Sequence, residues 1–140
     1  MTELKMDVAE LNAFMEQQFP QAASQQTAIE HLSPGVLRVR LTYHDDHLRP
    51  GGTVSGPALM GLADRAVYLL VLSLIGPVAL AVTTNLNIHF LTKPPAADVI
   101  AEARILKHGK RLVVAEVALR SDGQEAPVAH ATVTYSIPPQ

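Results

Sequence analysis

Apolar positions recur along this chain with two different periods, and the changes from one to the other mark its elements. From Asp7 to Phe19, Val8, Leu11, Met15 and Phe19 fall at helical spacing and Pro20 closes the run, which predicts a short amphipathic helix lying on the surface. Thr27–Leu32 and Val36–Tyr43 alternate instead, around a Ser33-Pro34-Gly35 turn, as a β-hairpin does. In the second of these strands Leu37, Val39 and Leu41 share one face, and Arg38, Arg40 and Thr42 the other. A polar, glycine-rich loop from His44 to Val54 then leads to Ser55-Gly56-Pro57, where a capping serine and a first-turn proline predict a helix from about Gly56 to Ile75.

That helix is apolar nearly all round apart from Asp64, Arg65 and small polar residues, the pattern of an enclosed helix. The charge-free stretch from Ala66 to Val82 is broken by Gly76-Pro77 and falls short of the roughly 20 residues a membrane span needs. It reads as helix followed by strand. Four strands follow: one in which Leu86, Ile88 and Phe90 alternate with Asn85, Asn87 and His89, then Val99–Lys107, Leu112–Arg120 and Pro127–Ile137. The last three are joined by turns at His108-Gly109-Lys110 and Ser121-Asp122-Gly123-Gln124. Two strands, one long helix and four strands, without βαβ alternation, predict an α+β fold in which one antiparallel sheet wraps one helix. Such a sheet leaves an edge uncovered, so a homodimer is expected, with a dimer of dimers as the larger alternative.

The 140 residues are 48% hydrophobic and 17% charged, as in one domain: a lead-in with its helix over 1–24 and a core over 25–140. A net charge of −2 provides no basic field for nucleic acid or an anionic membrane, and the absence of cysteine excludes disulfides, thiolate metal sites and a cysteine nucleophile. No cofactor is expected. Acidic residues among the first ten, without an apolar run, argue against a signal peptide and for a cytoplasmic protein.

Asp64 is the outlier, a carboxylate deep in an apolar helix whose neighbours at three and four positions, Met60, Gly61, Val67 and Tyr68, offer no cation. It is either a tertiary ion pair, a solvent-facing group beside Arg65, or a catalytic base or nucleophile. Gly56 stands where helix amides are unpaired and suit an oxyanion, although a capped helix start needs no further role. Ser55 is the weaker nucleophile candidate, since Gly52-Thr53-Val54-Ser55-Gly56 lacks the G-x-S-x-G spacing. Eight residues separate Gly56 from Asp64, about 12 Å along the axis, so the two act on one carbon only if they come from different subunits. His44-Asp45-Asp46-His47 reads as a solvated turn rather than a metal site. His89 and His130 receive no role, and Lys93, Lys107, Lys110 and Arg111 form either a solubilising rim or a phosphate contact.

Taken together, Gly51-x-x-x-Ser55-Gly56-Pro57, Leu62-Ala63-Asp64, Ala81 through Leu91, Lys107-His108-Gly109-Lys110-Arg111 and Val128-Ala129-His130-Ala131 resemble the hotdog-fold acyl-CoA thioesterases of the phenylacetate-degradation (PaaI-like) group. The resemblance covers about the last two-thirds of the chain. It implies a hotdog fold and cofactor-independent hydrolysis of an acyl-CoA, with Asp64 as base or nucleophile, Gly56 as the amide that polarises the thioester carbonyl, and Thr83 positioning water. It also implies that Asp64 and Gly56 act from different subunits. The family's H-G-G is Ser55-Gly56-Pro57 here and its upstream Asn falls at Arg49, so Ser55, Pro57 and Arg49 belong to the expected substrate site, with Lys93, Lys110 and Arg111 as contacts for the phosphates. The same departures leave a second reading, an acyl-CoA-binding hotdog protein without turnover. A hydratase on this fold would need a His–Asp or His–Glu pair.

Overall fold

Ser55 leaves the loop in an extended conformation (φ −72°, ψ 154°) and accepts a hydrogen bond from the Ala58 amide at 3.2 Å, which starts helix α2, Gly56–Ile75. The computed structural model describes residues 3–20 and 26–139. Helix α2 ends at Gly76, whose φ of 94° favours a residue without Cβ. Every residue from Ala66 to Leu74 is buried, and the polar one among them, Ser73, donates its hydroxyl to the Leu70 carbonyl at 2.6 Å. The helix is long and apolar enough to cross a membrane, but here 67% of its most apolar stretch is buried within the protein.

That cover is one six-stranded antiparallel sheet. Its strands are β1 (Thr27–Ser33), β2 (Val36–Leu41), β3 (Val82–Phe90), β4 (Val99–His108), β5 (Leu112–Ser121) and β6 (Ala129–Ser136), in the order β1-β2-β4-β5-β6-β3. Alternation sends Leu37, Val39 and Leu41 of β2, Val113, Ala115, Val117 and Leu119 of β5, and Ala129, Ala131, Val133 and Tyr135 of β6 into the core. On the opposite face of β2, Arg40 donates to Glu30 at 2.6 Å, Asp122 at 2.8 Å and Asp98 at 3.0 Å.

Two expectations shift in detail. Strand β2 stops at Leu41, two residues before the expected end, because the Tyr43 amide bonds to the Asp98 carboxylate (2.7 Å) instead of a ladder carbonyl. Helix α1, Val8–Gln18, is capped by Asp7 and Glu10 in a reciprocal box, and buries Leu11, Phe14 and Met15. Phe14, not Phe19, is the aromatic in the core, because the helix ends at Gln18 and leaves Phe19 at its C-cap, 38% exposed. The last part of the expected lead-in, residues 21–24, lies outside the described residues. At the far end of the sheet β3 pairs with β6 on one side, while Val82 and Phe90 at its two ends remain half exposed.

Candidate active site

Asp64 sits on the part of α2 that faces the start of β3 and the end of β6. Those strands pair with Thr83 directly opposite Tyr135, just before an irregularity in which the register skips Thr84. Both hydroxyls converge on one atom: Thr83 Oγ1 donates to Asp64 Oδ1 at 2.6 Å and the Tyr135 hydroxyl donates to the same oxygen at 2.8 Å, with the Asp64 carbonyl 3.3 Å away. Among the described residues neither an ion pair nor any hydrogen bond reaches Oδ2. Of the readings the sequence left open for Asp64, the tertiary salt bridge is therefore not realised.

A cavity of about 480 Å³ opens beside this carboxylate, lined by Asp64, Arg65, Thr83 and Tyr135 and walled by Met15, Phe19, Tyr68 and Val82. Its aromatic wall is continuous: Tyr68 stacks on Tyr135 with centroids 5.8 Å apart, and Phe19 meets Tyr68 edge-on at 5.8 Å. Burial, with the Asp64 charge adding to it, holds the Tyr135 phenol well above the usual phenol range; burial also raises that of Tyr68, which donates to the Ala79 carbonyl at 3.3 Å.

Gly56 stands at the start of α2, eight residues before Asp64. A Cβ there would lie 3.3 Å from the Phe90 ring, so the glycine lets the end of β3 pack against the helix start. In the first turn Pro57 has no amide hydrogen, the Ala58 amide is taken by Ser55 Oγ and the Leu59 amide by the Ser55 carbonyl. The Gly56 N–H has no acceptor among the described residues.

The remaining sequence candidates do not line the Asp64 cavity. Ser55 is occupied as a cap, Pro57 borders a separate cavity of about 210 Å³ with His47 and Leu62, and Arg49 is exposed on the loop. Lys93 lies after β3, and Lys110 and Arg111 lie in the β4–β5 turn, all exposed. No three His, Asp or Glu side chains among the described residues are disposed to hold a metal; His44 Nδ1 instead accepts from the Asp46 amide. A His–Glu pair does exist, His130 to Glu116 at 3.4 Å, but strand alternation puts it on the sheet face away from α2. Tyr135 and Tyr68 escaped the sequence reading. The signal for Tyr135 was its inward place in the alternation of β6, since a buried tyrosine needs an acceptor for its hydroxyl.

This arrangement, a helix carboxylate held at the start of an edge strand and an unused helix amide at that strand's other end, can be set beside known proteins. The family model described as "Thioesterase superfamily" matches residues 51–128, more than half of the chain and the whole span from loop to β6. The chain belongs to the thioesterase superfamily. Within it, a solved candidate thioesterase from Silicibacter sp. TM1040 is 48% identical, with a TM-score of 0.91, covering 99% of this chain and 96% of that one. The phenylacetic acid degradation protein PaaI from Thermus thermophilus, solved as a mutant, is 29% identical with a TM-score of 0.74, covering 85% of this chain and 99% of that one. A candidate esterase of Halobacterium salinarum is 35% identical over 97 residues, 66% of this chain but 64% of its own length, so the match leaves over a third of that relative unspanned. The sheet wrapped round α2 is thus the hotdog fold that the sequence resemblance implies, and membership of this superfamily supports hydrolase chemistry in general terms.

Proposed function

We propose that this thioesterase-superfamily protein hydrolyses an acyl-CoA thioester to a carboxylate and free CoA, with Asp64 as general base and the Gly56 amide as oxyanion donor. The observation that carries the reading is the one-sided hydrogen bonding of Asp64: Oδ1 accepts two hydroxyls and Oδ2 is left for a water beside an apolar, aromatic-walled cavity. Thr83 spends its proton on Asp64, so its oxygen accepts one hydrogen of that water while Oδ2 accepts the other. As the water oxygen bonds to the thioester carbon, its proton passes to Oδ2 and the carbonyl electron pair moves onto oxygen, stabilised by the Gly56 N–H. Collapse breaks the C–S bond, the departing thiolate takes the proton from Asp64, and the carboxylic acid so formed releases its remaining proton to solvent as the carboxylate.

The 12 Å between Gly56 and Asp64 requires two subunits, and β3 supplies a physical reason why they meet. Thr83, bonded to Asp64, begins this strand, and Phe90, packed on Gly56, ends it. If two copies of β3 pair antiparallel about Asn87, with Thr84 left out of the ladder as it is against β6, Thr83 falls opposite the partner's Phe90. One subunit's Asp64 then lies near the helix start of the other, and the pairing covers an open sheet edge. The exposed Lys93, Lys110, Arg111 and Arg49 are assigned to the phosphates and adenosine end of CoA, outside the acyl cavity. The cycle uses no cofactor, and residues 25–140 act as one hotdog domain.

The test is thiol release from aryl- and alkyl-CoA thioesters by the native protein and by Asp64→Ala. The variant is expected to remain folded and to lose at least about a thousandfold in kcat, as removal of a general base and water-orienting group does. Native-level release by Asp64→Ala would overturn the assignment. Saturable acyl-CoA binding by the native protein without any release would select the binding-protein reading.

A further inference from the structure

Resting on the reading of Asp64 as the base, we propose that Tyr135 is a positioning residue that fixes the Asp64 carboxylate with Oδ1 turned inward and Oδ2 presented to the cavity. Two hydroxyls hold Oδ1, but they are not equivalent. Thr83 begins β3 and lines the cavity, where the attacking water engages its hydroxyl. Tyr135 is 3% exposed, and its ring is held against Tyr68 and flanked in the sheet by Val113 on β5 and Thr83 on β3. Its hydroxyl cannot swing to solvent without unpacking that stack. Burial holds the phenol's ionisation well above the usual range, so at neutral pH it stands as a donor to Asp64.

The backbone keeps this donor in register. Beside the Thr83–Tyr135 pair, Thr84 is the extra residue of an irregularity in β3, a device that bends a strand and re-aims the side chains next to it. A carboxylate rotating about its Cβ–Cγ bond exchanges its two oxygens, and a base placed for attack on a bound carbonyl loses efficiency with each such excursion. Tyr135 suppresses that rotation from the interior. Thr83 is left free to serve the water.

The experiment compares steady-state kinetics and melting of four variants with the native protein: Asp64→Ala, Tyr135→Phe, Thr83→Val and Tyr135→Phe/Thr83→Val. Tyr135→Phe keeps the ring, the stack and the fold, and is expected to lower kcat by about tenfold to a hundredfold with KM within about twofold of native. Because two donors share one oxygen, the double variant is expected to lose more than the product of the single losses. Native kcat in Tyr135→Phe, with Asp64→Ala inactive, would overturn the role of Tyr135 and leave the base assignment standing. A parallel change in kcat, KM and melting temperature, or strictly multiplicative losses, would reduce Tyr135 to a packing residue. Undiminished turnover in Asp64→Ala would overturn the reading on which the inference rests.

Discussion

At the scale of single residues, Ser55 and Pro57 together decide what the first turn of α2 offers a ligand. A helix normally begins with four unpaired amides, and here proline deletes one, the Ser55 hydroxyl takes that of Ala58 and the Ser55 amide itself bonds the His47 carbonyl, leaving that of Gly56. This separates two roles for Ser55. As a cap, its replacement in Ser55→Ala costs about 1 kcal/mol, a fall of a few degrees in Tm, and leaves turnover within about tenfold of native because the Gly56 donor survives. As a nucleophile, the same change would abolish turnover. Thermal melting and thiol-release assays on that one variant distinguish the two, and the hydrogen bond from Ala58 favours the first outcome. Asp64 was legible in the sequence as a carboxylate without a helical partner, and Ser55-Gly56-Pro57 as a helix start. Tyr135 was not, because its meaning depends on which residue of β3 stands opposite it, and that register is set by pairing across about 50 residues of chain.

At the scale of elements, α2 was legible to the residue since cap, proline and terminal glycine are local signals, whereas the ends of β2 and the inward aromatic of α1 depended on tertiary partners. Arg40 is the clearest case of what local pattern leaves out. The alternation of β2 predicts that it faces away from the core, but the acids it meets come from β1, from the approach to β4 and from the turn after β5, and nothing short-range in the sequence brings Glu30, Asp98 and Asp122 together. Its bonds, that to Asp122 foremost, raise its own ionisation further, and it in turn holds the Asp122 carboxyl below the ordinary carboxylate value. A carboxyl depressed in the folded state adds stability that is complete above its unfolded pKa and is lost as the pH falls through the folded one. The contribution of Asp122 is therefore full above about pH 5 and fades below about pH 4. Asp122→Asn is expected to melt below the native protein at pH 7, with the gap narrowing progressively as the pH falls below about 4. Melting curves across that range check it, and a gap that persisted or widened in acid would show that the clamp is not what the Asp122 charge supplies.

At the scale of the whole molecule, the proposed site is divided along β3: the carboxylate proposed as base is held at its beginning, and the unused amide stands at its end. If two chains pair through that strand, neither catalytic half works within its own subunit, and complementation between inactive variants becomes the decisive measurement. Asp64→Ala removes the proposed base, and Gly56→Pro removes the amide donor at a first helical position, where the ring's fixed φ is tolerated and the added Cβ, 3.3 Å from the Phe90 ring, asks for a shift of only about a few tenths of an ångström. Each homodimer then has two defective sites. In a mixed dimer of the shared-site kind, both defects fall in one site and the other is intact. Random reassortment makes half the dimers mixed, so an equimolar mixture unfolded and refolded together should recover about a quarter of native activity. With both groups drawn from one chain, every site in every dimer carries one lesion and nothing returns. Sedimentation at twice the 15.1 kDa chain mass should accompany recovery. A fully active monomer would contradict the division of the site, since about 12 Å of helix would then have to separate two groups acting on one carbon.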